Sequence, residues 1–254
     1  MQNKTQDLII AIENYDKTKV CDLLDESIDV SAQTKDGSSV LMKLAEYSDD
    51  KLFLKALKSI EESKNIQDIL NQPNQYGETV LMQTARYFSD EKISQKLIDL
   101  GANVHARDNM GTTPLMYACT HQNIDVVDLF LQHKSVPYAT DNHGFTPLMA
   151  VAANGNVEIA KLLINYGTAL NTQNECGNTA LMIASQNENK DMVAFLLRVK
   201  ADRSLKNNEG KNARRIAYDT GNRDILRLFV QQESVFKKVV TFLSLGYNKE
   251  QHTR

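Results

Sequence analysis

Short apolar clusters recur along the chain at a nearly constant spacing, each opened by a glycine. The sharpest copies are Gly111-Thr112-Thr113-Pro114-Leu115-Met116, Gly144-Phe145-Thr146-Pro147-Leu148-Met149 and Gly177-Asn178-Thr179-Ala180-Leu181-Met182. Looser copies open at Gly37 and Gly77, and a degenerate one at Gly210. From Gly77 onward the glycines stand 34, 33, 33 and 33 residues apart, while Gly37 and Gly77 are 40 apart. Such a period marks stacked units, each too small to bury its own apolar face.

Each copy predicts a turn followed by two helices. Glycine suits a turn residue with positive φ. Thr113, Thr146 and Thr179 stand at an N-cap position. Pro114 and Pro147 follow at the first helical position, where a missing N–H leaves nothing unsatisfied. Leucine and methionine then begin a buried stripe. A second run at helical spacing follows, such as Val157-Glu158-Ile159-Ala160-Lys161-Leu162-Leu163-Ile164, and Gly167 stands at its C′ position. Lys134 and Lys200 replace that glycine in two copies, so those turns are expected to be less regular.

Phrase and period together resemble the ankyrin repeat, whose phrase is Gly-x-Thr-Pro-Leu-His-x-Ala. The likeness covers nearly all of residues 4–233. It implies an all-α fold, an ankyrin-type helical solenoid of stacked helix-turn-helix units with hairpin fingers. One departure is systematic. The family's histidine is methionine at Met42, Met82, Met116, Met149 and Met182, and arginine at Arg215. The hydrogen bonds that histidine makes between units are therefore expected to be replaced by a flexible apolar ladder.

The expected organisation is an N-terminal capping repeat over 1–36, then five full repeats over 37–76, 77–110, 111–143, 144–176 and 177–209. A C-terminal capping repeat (210–233) and a terminal helix and tail (234–254) complete it. Leu8, Ile9 and Ile12 mark the first helix of the N-terminal cap, and Val20, Leu23 and Leu24 its second. In the longer 37–76 unit, Ser48-Asp49-Asp50 reads as a helix start. The spacing there predicts an extended second helix with a longer connection. Ser234, Val235, Phe236, Val239, Val240, Leu243 and Gly246 outline a last amphipathic helix, expected to pack over the last repeat. It is short for a membrane-surface helix and offers only Lys237 and Lys238 on its polar side.

Composition, 42% hydrophobic and 24% charged, suits a soluble globular chain. The apolar run Leu8–Ile12 is too short and too acidic at its flanks for a signal peptide or a membrane span. Cys21, Cys119 and Cys176 form no CxxC pair, which fits a reducing cytoplasm. The chain carries no phosphate loop, dinucleotide fingerprint, HExxH or nucleophile elbow. His121, His143 and Cys176 are the one tempting metal set. However, the latter two hold equivalent places in successive units, and stacked helices lie about 8–10 Å apart, too far for zinc ligands. No catalytic residue, metal, cofactor or small-molecule substrate is expected.

Function is therefore sought on the surface. The resemblance implies that a partner protein binds the concave face, which is built from the residues around each turn glycine and the exposed ends of the first helices. Carried onto this sequence, that face contains Tyr76, Arg86, Tyr87, Met110, His121, His143 and Phe145, residue types enriched at protein interfaces. Tyr76, Tyr87, Met110 and Phe145 are expected to be neighbours. An alternative lies in charge. Residues 198–238 carry a balance of +6 and residues 1–197 one of −10. The basic end could therefore engage an acidic protein, lipid or nucleic acid. Interleaved aromatics for base stacking are missing there, so nucleic acid and membrane are not the expected partners. The expectation is a monomeric interaction module of the cytoplasm. Its lysine- and asparagine-rich usage suits a low-GC genome, and with it a bacterial protein acting in a host cell.

Overall fold

The computed structural model describes residues 2–25 and 32–230. Its helices are α1 (Gln2–Glu13), α2 (Lys17–Leu24), α3 (Val40–Glu46), α4 (Asp50–Ile60), α5 (Ile66–Asn71), α6 (Val80–Tyr87) and α7 (Glu91–Asp99). They continue with α8 (Pro114–Thr120), α9 (Ile124–Gln132), α10 (Pro147–Asn154), α11 (Val157–Asn165), α12 (Ala180–Gln186), α13 (Lys190–Arg198) and α14 (Ala213–Asp219). Residues 223–230 are also helical. Among the described residues no strand forms; a single bridge joins Gln33 and Ser39. The amphipathic pattern 234–246 lies outside the described residues.

Local chemistry starts most of the first helices. The side chains of Ser39, Thr113, Thr146 and Thr179 accept from the backbone N–H groups of Met42, Met116, Met149 and Met182 at 3.2–3.3 Å. Asn212 does the same for Arg215 at 2.9 Å. Each cap satisfies one of the N–H groups that a helix start leaves open. The second helices use Asp49, Asp90 and Asn123, whose carboxylates or amide oxygen accept from first-turn N–H groups.

The helices fall into two compact units. One comprises residues 1–151 with 158–168, the other 152–157 with 169–254. In the first, α3 packs on α1, α4 and α6, α6 packs on α7 and α8, and α8 packs on α9. In the second, α12 packs on α13 and α14. The methionine positions are core: Met42, Met82, Met149 and Met182 are 1% exposed and Met116 4%. Phe53, Leu57, Ile93, Leu97 and Phe130 of the second helices are buried as well. Within α6 the Thr79 N–H donates to Met82 Sδ at 3.4 Å, so a thioether takes up a backbone donor.

The long 37–76 unit extends its second helix, α4, to 11 residues ending at Ile60, against nine in α7, α9, α11 and α13, and a connection over 61–65 leads to α5 at Ile66. The run Glu61-Glu62-Ser63-Lys64-Asn65 supplies no apolar side chain to continue the buried stripe, and Glu61 instead pairs with Lys96 at 3.2 Å. Helical burial resumes only with Ile69 and Leu70. One expectation is corrected: the Lys134 and Lys200 turns are not irregular. Both lysines adopt the left-handed conformation, at φ 64° and 67°, as Gly167 does at 85°. The bond one residue further, Ser135 N–H to Phe130 C=O at 2.9 Å and Ala201 N–H to Leu196 C=O at 3.0 Å, matches Thr168 N–H to Leu163 C=O at 3.1 Å. Satisfying those carbonyls outweighs the cost of a left-handed side-chain-bearing residue, about 1–2 kcal/mol.

Lys200→Gly should therefore stabilise by about 0.5–1 kcal/mol, part of the relieved strain being lost to a freer unfolded chain. A chemical denaturation series reads this as a raised midpoint, and an unchanged or lowered midpoint contradicts it. Met149→Ala should lose about 2–5 kcal/mol, as buried large-to-small changes do. A loss under about 1 kcal/mol would place that side chain outside a packed core.

Candidate partner-binding face

From Gly77 onward each turn is closed by an Asp or Asn three residues before its glycine. Asn74 Oδ1 accepts from the N–H groups of Tyr76 and Glu78 at 2.9 and 3.0 Å. Asp108 accepts likewise from Met110 and Thr112, at 2.9 and 2.8 Å. Asp141 holds His143 and Phe145 at 2.8 Å each. In the other unit Asn174 and Asn207 repeat the arrangement. A short polar side chain thus mimics a backbone turn and fixes the tips that carry Tyr76, Met110, His143 and Phe145.

The tips are also joined to one another. Gln75 N–H donates to Asp36 C=O, Asn109 N–H to Tyr76 C=O and Asn142 N–H to Met110 C=O, at 2.8–2.9 Å. The Asn109 and Asn142 side-chain amides add bonds to Gln75 C=O and Asn109 C=O at 2.9 and 3.0 Å. Gly77 shows why glycine opens the phrase. Its φ is 80°, and a Cβ there would lie 2.6 Å from the Asn109 backbone nitrogen. Only a residue without a side chain lets the next tip approach.

Behind the tips lies a buried polar cluster. Glu78, 9% exposed, receives Arg86 at 2.8 Å, Gln83 at 2.7 Å and Asn74 at 3.0 Å. The Tyr117 hydroxyl lies 2.8 Å from Asp108 Oδ2 and 3.0 Å from Glu78 Oε1. The Arg86 guanidinium lies over the Tyr117 ring at 4.7 Å and over the Tyr87 ring at 5.8 Å. Burial pushes the Glu78 carboxyl up, but the Asn74 hydrogen bond, the Arg86 charge and the Tyr117 hydrogen bond outweigh it and hold it below its ordinary value. Burial pushes the Tyr117 phenol up, and its bond to Asp108 adds to this, so it stays protonated as a donor.

This cluster positions one end of a cleft of about 400 Å³, lined by Arg86, Tyr87, Phe88, His121, Asn123 and Ile124 among others. His121 Nδ1 lies 2.9 Å from the Tyr117 carbonyl oxygen. A carbonyl only accepts, so Nδ1 carries the proton and Nε2 remains as the ring's other polar atom. The structure thus brings Arg86, Tyr87 and His121 into one cleft. It places Tyr76, Met110, His143 and Phe145 on three successive turns. Tyr76 is 57% exposed, Met110 51% and Tyr87 37%. His121 and His143 are exposed, and Arg86 and Phe145 half-buried.

Asp108 and Tyr117 were not singled out by the sequence pattern, although signals exist. Asn74, Asp108, Asp141, Asn174 and Asn207 share one place before the glycine. Gln83 and Tyr117 share the place after the core methionine. No group of three or more His, Cys, Asp or Glu side chains that could hold a metal occurs among the described residues. Cys119 is fully buried, which pushes its thiol up. No helix among the described residues is long and apolar enough to cross a membrane.

A family model described as ankyrin repeats (3 copies) matches residues 81–174 and 148–239. The chain belongs to the ankyrin-repeat family. Over 44 residues this ankyrin-repeat chain is 46% identical to a Caenorhabditis elegans protein, ankyrin repeat and LEM domain-containing protein 1 homolog. That alignment covers 17% of this chain and 6% of the relative, so the chain spans only a small part of that protein. Ankyrin repeats generally serve protein–protein interaction and are typically non-catalytic.

Arg86→Met should lose about 1–3 kcal/mol at pH 7, because Glu78 is left buried without its cation. In the wild type the depressed Glu78 pKa contributes stability above the ordinary carboxylate value of 4.5, lost as pH falls through the folded value. In the variant burial dominates and the carboxyl takes up a proton earlier. The difference between the two proteins should therefore shrink as pH falls below 4.5. Denaturant melts at pH 7, 5 and 3.5 read this, and a pH-independent difference contradicts it.

Proposed function

We propose that the chain is a non-catalytic protein-interaction module that holds a partner protein on the face formed by its turn tips and first-helix ends. The observation that carries this reading is that exposed Tyr76 and Met110 stand on backbone locked by Asx turns and tip-to-tip bonds, with exposed Tyr87 at the end of α6. Rigid aromatic side chains lose little freedom on binding, and a few such anchors dominate most interfaces. Phe145 extends this set, and Arg86, His121 and His143 supply polar contacts at its edges. Arg86 is already oriented by Glu78, so its remaining N–H donors are presented without an ordering cost.

The basic C-terminal end is the less favoured surface, because much of its charge is paired internally. Lys211 lies 3.0 Å from Glu209 and 3.1 Å from Asp219, Arg215 3.0 Å from Asp219 and Arg227 2.7 Å from Asp224. Three unpaired cysteines support a reducing compartment, which we take to be the cytoplasm.

Tyr76→Ala with Met110→Ala should reduce partner capture at least about tenfold in a pull-down read by mass spectrometry, with helical content and melting temperature nearly unchanged. Arg214→Glu with Arg215→Glu should leave capture intact at physiological salt. Loss of capture in the second variant and retention in the first would assign binding to the basic end.

A further inference from the structure

The last described elements leave a groove of about 440 Å³ lined by Asn212, Arg214, Arg215, Tyr218, Leu226 and Val230. Ala213, Ile216 and Ala217 are the buried side of α14, which packs on α12. Arg214, Arg215 and Tyr218 stand on its other side. Leu226 and Val230 are one turn apart in the 223–230 helix and share a face. Tyr218 and Val230 are 65% and 51% exposed. In a stack of repeats this side of a helix pair is covered by the next unit.

We propose that the chain's own C-terminal segment, residues 235–243, seats its apolar face in this groove, on the side that a following unit covers in a stack. Three observations commit the groove to this occupant. The first is connection: the chain leaves the groove's own wall at Val230, and only residues 231–234 precede Val235. A link of about 2–5 residues is what joins antiparallel neighbouring helices. The second is pattern: Val235, Phe236, Val239, Val240 and Leu243 fall on one side at helical spacing. Lys237, Lys238 and Thr241 fall on the other, away from Arg214 and Arg215. The third is size and charge: the groove holds a few side chains of one helix rather than a domain. The Arg215 cation is retained at its rim by Asp219 at 3.0 Å and by the Tyr218 ring at 5.3 Å, so an acidic foreign ligand is not required. The seat is remote in sequence from Tyr76, Tyr87 and Met110 and does not depend on the partner reading.

The test is hydrogen exchange by mass spectrometry on the full chain, comparing wild type with Val239→Asp plus Leu243→Asp and with Thr241→Asp. The apolar-face variant should speed exchange of amides 213–230 about tenfold or more, and Thr241→Asp should leave them unchanged. Groove-side Val230→Asp should reproduce the first effect and also speed exchange in 235–243. Light scattering should give a monomer throughout. Unchanged exchange of 213–230 in the apolar-face variant overturns the proposal. So does wild-type protection that rises with protein concentration, since a second copy would then fill the groove. Protection that appears only on adding another protein would assign the groove to a foreign partner and overturns it equally.

Discussion

Burial of each first helix by the next is the constraint on which the rest of this protein depends. A pair of seven- to nine-residue helices such as α8 and α9 cannot enclose its own leucine and methionine side chains. Met42, Met82 and Met116 reach near-zero exposure because α3, α6 and α8 lie against one another. An unbranched thioether tolerates the small differences in spacing that six unequal copies impose. Every other feature, from the capping threonines to the turn glycines, serves to bring the next pair to that distance.

The same constraint explains why the turns are so heavily bonded. Tips project beyond the helices, where burial cannot hold them. From Gly77 onward Asp or Asn closes each tip from within, and the backbone of the following tip binds it from outside. The outcome is an ordered edge whose side chains are free to face solvent without disturbing the core. The residue at this structural position can therefore vary from Tyr76 to Met110 to His143 while the fold stays the same.

The Glu78 cluster joins the two regimes. Its carboxylate is almost wholly removed from water, yet it receives bonds from the turn (Asn74), from its own helix (Gln83 and Arg86) and from the next helix (Tyr117). A buried charge with this many donors is tolerable, and one with a donor removed is not. Arg86 is thereby fixed between two tyrosine rings at the mouth of the cleft, which couples the stability of the core to the shape of that cleft.

The sequence alone determined the repeat, its period, the family, the all-α class and the core methionines, because these rest on local chemistry copied several times. Threonine before proline starts a helix wherever it occurs, and apolar residues at helical spacing define the buried side. Tertiary structure decided what depended on neighbours. Lys134 and Lys200 take a glycine's conformation because the carbonyls of Phe130 and Leu196 gain a donor from the following residue. The insertion after Ile60 leaves the buried stripe, and its Glu61 lies 3.2 Å from Lys96 of the adjacent pair. Tyr117, ordinary in the sequence, became the link between Glu78 and Asp108 only when two turns were brought within one side chain's reach. A residue's own propensity is written in its type; its partners are chosen by packing.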